Sequence, residues 1–504
     1  MGLRSLAVLS LLFSFKLVTV NADVNTYDYI VVGSGPGGGP LVSYLARSGA
    51  TVLLEAGDDQ SKNLNLTVGG LFKQAGNDKN MRWDFFINYG TDPKLDAYHP
   101  RARTLGGCST HNAMHFMDLD NDHVVPPGTK GHGFGRFLDI SVNSPEYPRN
   151  QSDAETILAT TAKNLGQPQT NVFAMVARNL NNNDADRDQQ LGQSMYKADP
   201  GYNASNPGIK KQAFARKEVI ISGGAFNTPQ LLKLSGVGPK SELTKLNISV
   251  VVDLPGVGTN LQDNLEVGTS ATANKPALAN LGPIYTWDAP RDPCLDAWYQ
   301  GKGMHAQSPL NAIVVKTSNA TERDLFIFRI TSASFRGYWP ALTVNPIAPD
   351  PRRTWDFSMV KIHPQSWMGT VTLNSADPRD TPEINFRFFE GPGSDADIAA
   401  MAKGMQPGRS IFESIPAPLD KRCDLKEKVL PQSRSYHASS SSATGADSDL
   451  MTVLDASFRV RGTTGLRVVD ASAFPRVPGG FPVISTFMIS MKASEDILRD
   501  AKAT

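Results

Sequence analysis

The segment YDYIVVGSGPGG, residues 27–38, constrains this chain more than any other. A short apolar run, residues 27–32, stops at Gly33, and a helical pattern follows over about residues 36–47. Residues 51–54 form a second β-type run that ends at Glu55. Strand, glycine turn, helix and strand make a βαβ unit. Gly33, Gly35 and Gly38 fit GxGxxG. Among 43 glycines chance matches arise, but here the pattern leaves a strand, opens a helix and has an acid closing the next strand. Gly33 would allow the tight turn, Gly35 the approach of backbone to a pyrophosphate, and Gly38 close packing of helix on strand. The helix N–H groups would face the phosphates, and Glu55 would accept hydrogen bonds from a ribose. This predicts a dinucleotide site without choosing between NAD and FAD.

The chain has 504 residues, more than one ordinary core needs, so two or more domains are expected. A net charge of +1 and the lack of a long Lys/Arg cluster argue against a nucleic-acid partner. At the N-terminus Arg4 precedes an apolar run over residues 6–15, and Val20-Asn21-Ala22 reads as a cleavage site, so residues 1–22 are expected to be a signal peptide. That run is too short to span a bilayer and Lys16 interrupts it, so no membrane span is expected in the mature chain. Sequons at Asn65, Asn150, Asn203, Asn247 and Asn319 agree with a secreted glycoprotein. Of Cys108, Cys294 and Cys423, at least one stays free or pairs between chains, and Cys294 with Cys423 is the expected pair. No metal site is expected, and oligomeric state is not legible.

Further along, residues 153–166 read as a helix and 218–222 as a buried strand running into Gly223-Gly224. A helix is expected from Thr228 with Pro229 in its first turn. Residues 395–412 and about 485–501 have helical spacing, and 324–330, 369–373 and 466–470 are strand-like.

Three further segments carry a resemblance: RTLGGCSTHNAM (103–114), SGGAFNTPQLLKLSGVGP with LPGVGTNLQD (222–239 and 254–263), and DSDLMTVLDASFRVRGTTGLRVVDASAFP (447–475). With the first glycine loop, they resemble the glucose–methanol–choline (GMC) oxidoreductase family and, given the leader, its secreted fungal-type members. The resemblance implies FAD and an α/β fold. A discontinuous Rossmann-type FAD-binding domain (23–112, 211–268 and 451–504) would pair with a substrate domain built on an antiparallel sheet with helices (113–210 and 269–450). It implies that Asp470-Ala471 lie by the phosphates and ribityl chain, and that Gly106, Gly107 and Asn112 line the isoalloxazine. GGCSTHN is similar to the segment of choline oxidases whose histidine is bound covalently to the flavin, so His111 either carries such a link or only lines the pocket.

Ser435-Tyr436-His437 resembles the family's catalytic histidine segment. An alcohol is a poor hydride donor until its hydroxyl proton leaves, and an imidazole titrating near neutrality suits that proton. His437 is thus the expected base in the oxidation of a small, primary alcohol, with oxygen or a quinone as electron acceptor. The family's second His or Asn, counted back from Lys492, falls here on Phe481. Phenylalanine neither holds an alkoxide nor moves a proton. Three outcomes stay open: His437 works alone with an aromatic wall steering an apolar alcohol, Tyr436 substitutes, or the enzyme is a redox-neutral lyase or cyclase of secondary metabolism. Regions 117–131 and 167–200 are short for the family, through either a compact variant or lost coding sequence.

Overall fold

The structure, a computed structural model, describes residues 25–68, 71–88, 97–111, 140–142, 174–176, 212–272, 295–300, 310–315, 324–331, 354–414, 426–428 and 436–503, with positions 164 and 292. The expected signal peptide, Asn112, Cys294, Cys423, Asn150, Asn203, Asn319 and region 117–131 lie outside these residues, as do all but residue 164 of the 153–166 helix and all but 174–176 of region 167–200.

The βαβ unit forms as β1 (Thr26–Val32), α1 (Gly38–Leu45) and β2 (Thr51–Leu54). β1 and β2 run parallel, with Tyr29 opposite Thr51 and Val32 opposite Leu54. Parallel neighbours cannot be joined by tight hairpins, so the sheet recruits strands from far along the chain. β3 (Phe214–Ile221) lies parallel on the other side of β1, and the strand Leu466–Val468 lies parallel beyond β3. Both faces of such a sheet need cover. Tyr29, Val31, Leu41, Leu45, Ile220 and Ile497 are all buried in one core beneath it. The helix Pro482–Ala503 packs on α1 and starts with proline, whose missing N–H costs nothing there. Ser490 Oγ of that helix donates to Gly37 O at 2.5 Å, fixing it to the glycine loop.

Arg467 in this sheet is 1% exposed. Its guanidinium grips Glu218 through Nε (2.6 Å) and Nη2 (2.9 Å) and reaches Asp500 on the C-terminal helix at 2.7 Å. A buried cation persists only when it is paired in this way.

The helix expected from Thr228 starts earlier, as α2 (Gly224–Leu234), and Pro229 lies inside it. Two contacts explain the difference. The Asp470 carboxylate accepts from Gly224 N at 2.9 Å and Thr228 Oγ at 2.5 Å, capping the earlier start. Pro229 leaves the carbonyl four residues back, Ala225 O, without its helical donor, and Ser441 Oγ donates to that carbonyl at 2.6 Å instead.

The second sheet is antiparallel throughout. Its strands are β4 (Leu265–Thr272), β5 (Leu310–Val315), β6 (Leu325–Thr331), β7 (Thr354–Lys361) and β8 (Lys426–Lys428), in the order β5-β6-β7-β4-β8. Helix α3 (Ser394–Ser414) lies on β4 and β7. It comes so close at Gly404 that an added Cβ would stand 1.9 Å from Met359 Sδ. The molecule is thus α/β, a Rossmann-type parallel sheet from separated segments beside an antiparallel sheet with helices. β4 leaves the first body two residues after Asp263 and runs through residue 268 without a break. No helix among the described residues is long and apolar enough to cross a membrane.

Candidate active site

At the end of β1, Gly33 has φ +98°, and an added Cβ would lie 2.3 Å from Ser222 O. At Gly38 a Cβ would lie 1.9 Å from Gly33 O, so helix and strand touch through that glycine. Gly35 differs: the nearest atom to its missing Cβ is Gly107 Cα at 4.0 Å. The protein's own packing does not demand glycine there, which is what a loop backbone left bare for a ligand requires. Glu55 closes β2 with Oε2 accepting from Ser34 N (2.9 Å) and Ser34 Oγ (2.5 Å), while Oε1 accepts from Gly57 N (3.0 Å). Oε1 therefore retains a lone pair for a further donor. Ser34 Oγ in turn accepts from Gly106 N at 2.9 Å, drawing the 106–107 turn onto the loop. Gly37 abuts Val469 and Asp470, so the segment 469–471 flanks the same loop. The Asp470 carboxylate accepts from Gly224, Thr228 and, at 2.7 Å, Ser472 N. What this segment can offer a ligand is therefore the backbone of Asp470 and Ala471.

His437 sits on a strap, residues 436–444, laid between the two sheets. Ser439 exchanges backbone hydrogen bonds with Gln262, and Ser440 N donates to Ala471 O at 2.9 Å. Buried Asp263 accepts His437 N on Oδ1 (2.7 Å) and Tyr436 N on Oδ2 (3.2 Å). The His437 ring meets Asn264 at 2.9 Å through Nδ1, and Phe481 edge-to-face with centroids 5.2 Å apart. Phe481 also meets Phe326 of β6 edge-to-face at 5.7 Å. His437 and Phe481 are thus neighbours. Tyr436, with φ +60°, turns its ring toward His99, 5.1 Å between centroids.

Between the glycine loop and the strap lies a charged cluster whose central residue, Arg101, the sequence reading did not single out. Burial raises the Cys108 thiol, but Arg101 and a hydrogen bond with His111 outweigh it and bring the thiol down to about 6. Burial pushes the Asp263 carboxyl up to about 7 against the backbone donors of His437 and Tyr436 and the field of Arg101. The field of Arg101 thus reaches both Cys108 of the 106–111 turn and Asp263, which holds the strap of His437. His111 Nε2 is buried without a hydrogen-bond partner among the described residues. Asn264 was missed although it directly follows the motif ending at Asp263; Arg101 had no signal, since only the fold brings it to Asp263.

Two family models, both described as GMC oxidoreductase, match residues 201–266 and 364–490, which carry α2, Asp263, Asn264, His437, Asp470 and Phe481. The chain belongs to the GMC oxidoreductase family. The oxygen-dependent choline dehydrogenase of Vibrio vulnificus is 28% identical to this GMC oxidoreductase, over 94% of each chain. A glucose methanol choline oxidoreductase of Aspergillus terreus is also 28% identical, over 96% of this chain and 94% of its own. The first alignment spans 549 positions against 504 residues here, so at least 45 of its positions are gaps in this chain. Among solved structures, a formate oxidase superposes with a TM-score of 0.72 at 20% identity, over 96% of this chain and all of its own. Members of the family bind FAD, and this GMC oxidoreductase is an FAD-dependent oxidoreductase. The residues fit that cofactor: the bare backbone at Gly35 and the spare lone pair of Glu55 suit a dinucleotide, and the buried, unpartnered His111 nitrogen suits contact with a flavin.

Proposed function

We propose that this enzyme oxidises a small, apolar primary alcohol, with His437 taking the hydroxyl proton. One observation carries the reading: His437 stands edge-on to Phe481, held by Asp263 and Asn264. Relatives named as choline dehydrogenase support an alcohol as substrate class. FAD, when bound, supplies the hydride acceptor. Gly33, Gly35 and Gly38 would hold its pyrophosphate, Glu55 its ribose, the backbone of Asp470 and Ala471 its phosphates and ribityl chain, and Gly106, Gly107, His111 and Asn112 its ring. The chain's own part is orientation and proton transfer. The imidazole removes the proton that makes the alcohol a poor donor. Phe481 and Phe326 give the neighbouring wall no hydrogen-bonding group, which favours an alcohol with an apolar or aromatic body over a polyol. His111 would either carry a covalent flavin link or only line the flavin pocket. Oxygen or a quinone would take the electrons.

We take the FAD body as 23–112, 211–268 and 451–504 with the rest as substrate domain, and the enzyme as secreted; exposed Asn247 is an accessible glycosylation position.

The test mixes purified enzyme anaerobically with primary alcohols and follows the flavin's visible band. Benzylic and short aliphatic alcohols should bleach it and sugars should not. His437→Gln should slow bleaching by roughly 10²–10⁴-fold, the usual contribution of a general base. Conversion of an alcohol-derived substrate without any bleaching would instead favour a redox-neutral lyase or cyclase, the reading that Phe481 keeps open.

A further inference from the structure

Asn264 is fully buried, and its side-chain amide has its donors and its acceptor assigned to different neighbours. Nδ2 lies 2.8 Å from Ile362 O, 2.9 Å from Gly479 O and 3.2 Å from Lys361 O. Each of these is a carbonyl, able only to accept. Turning the amide over would set its oxygen against three carbonyl oxygens, so the NH₂ must face them and share its two hydrogens among the three. Oδ1 then necessarily faces His437 Nδ1, at 2.9 Å. An amide oxygen can only accept, so Nδ1 must carry the hydrogen.

We infer that Asn264 is a positioning residue that locks neutral His437 in the Nδ1–H form, leaving the lone pair on Nε2. This deepens the reading of His437 as base and rests on it. Nδ1 donates to Oδ1 whether the ring is neutral or cationic, so only Nε2 changes its proton during a cycle. The ring has one working nitrogen, and its direction is set by the amide.

Two described neighbours of the ring agree with this division of labour. Asp263 is spent on the backbone N–H groups of Tyr436 and His437. Phe481 presents ring edge and face and competes for neither nitrogen. The acceptors of Asn264 come from Lys361 at the end of β7, from the next residue Ile362, and from Gly479 in the loop that carries Phe481. One amide thereby fixes the base and its aromatic neighbour relative to the substrate sheet. Where the family's second polar group is replaced by Phe481, a tautomer set from behind the ring keeps the proton acceptor defined without help from the substrate side.

The experiment labels histidine with ¹⁵N in the holoenzyme and in its His437→Gln variant, and assigns the His437 signals by their loss. The inference expects the neutral ring, recorded on the high-pH plateau of its titration, to have a protonated Nδ1 and an unprotonated Nε2; a neutral ring with its hydrogen on Nε2 overturns it, with no variant of Asn264 needed. Asn264→Ala should give a tautomer mixture, and should lower kcat about 10- to 100-fold with KM changed less than threefold, a fraction of a base's whole contribution. Unchanged tautomer and unchanged kcat in that variant also overturn it. The underlying reading fails separately: if His437→Gln retains full activity, His437 is not the base, whatever its tautomer.

Discussion

Gly35 and Gly38 belong to one GxGxxG segment, yet only at Gly38 does the protein's own packing demand glycine. A Cβ at Gly38 would collide with Gly33 O at 1.9 Å, whereas at Gly35 the nearest atom is 4.0 Å away. Gly38→Ala should therefore impair folding, read as lost soluble yield and a lowered melting temperature. Gly35→Ala should fold with the apoprotein's melting temperature unchanged and be recovered with less bound FAD. Cys108 gives a second expectation at this scale. With its thiol near 6, the thiolate is already the major form at neutral pH. Alkylation by iodoacetamide should climb between about pH 5 and 7 and then level off, where an ordinary thiol near 8.5 is still climbing. A Cys108→Ser control assigns the rate. The glycines and Glu55 were legible because local order along the chain specifies them. Arg101 was not, because its effect on Cys108 and Asp263 depends on a meeting of distant segments.

Among the elements, α2 and the strap beneath it depend on each other. Ser441 Oγ supplies Ala225 O with the donor that Pro229 lacks. Ser441→Ala would leave that carbonyl buried and unpaired and should lower stability by about 1–3 kcal/mol in urea unfolding. Reading the sequence placed Pro229 in a first turn because proline is best tolerated there. The earlier start of α2 needs Asp470, 246 residues away, to accept from Gly224, and no local pattern carries that. The strap's other anchor is Asp263. Its folded carboxyl stands near 7, above an unfolded value near 3.9. A carboxyl raised on folding gives its full stabilisation below the unfolded value and loses it as pH rises through the folded one. The stability of the wild type minus that of Asp263→Asn should therefore shrink from about pH 4 to 7; urea midpoints at three pH values check this. Helix α3 and strand β6 were legible from periodicity alone. The pairing order of the antiparallel sheet was not, since strand neighbours are chosen by the whole fold.

For the whole molecule, the parallel sheet is closed by Leu466–Val468 and locked by Arg467 between Glu218 and Asp500. Arg467→Met removes a buried cation and leaves Glu218 without its guanidinium, while Asp500 keeps Arg459, and should cost about 3 kcal/mol, seen as a melting temperature several degrees lower in both apo and holo enzyme. The discontinuous body was legible only through the family resemblance; spacing showed one βαβ unit and could not say which later strands complete it. That completion governs how the enzyme is made. β1, α1 and β2 leave the ribosome well before the edge strand, the backbone of Asp470 and Ala471, the helix seated on Gly37 and the wall of Phe481, which are translated hundreds of residues later. A nascent chain arrested before residue 466 should hold no flavin, so the growing polypeptide cannot capture free FAD until that distal segment has left the ribosome.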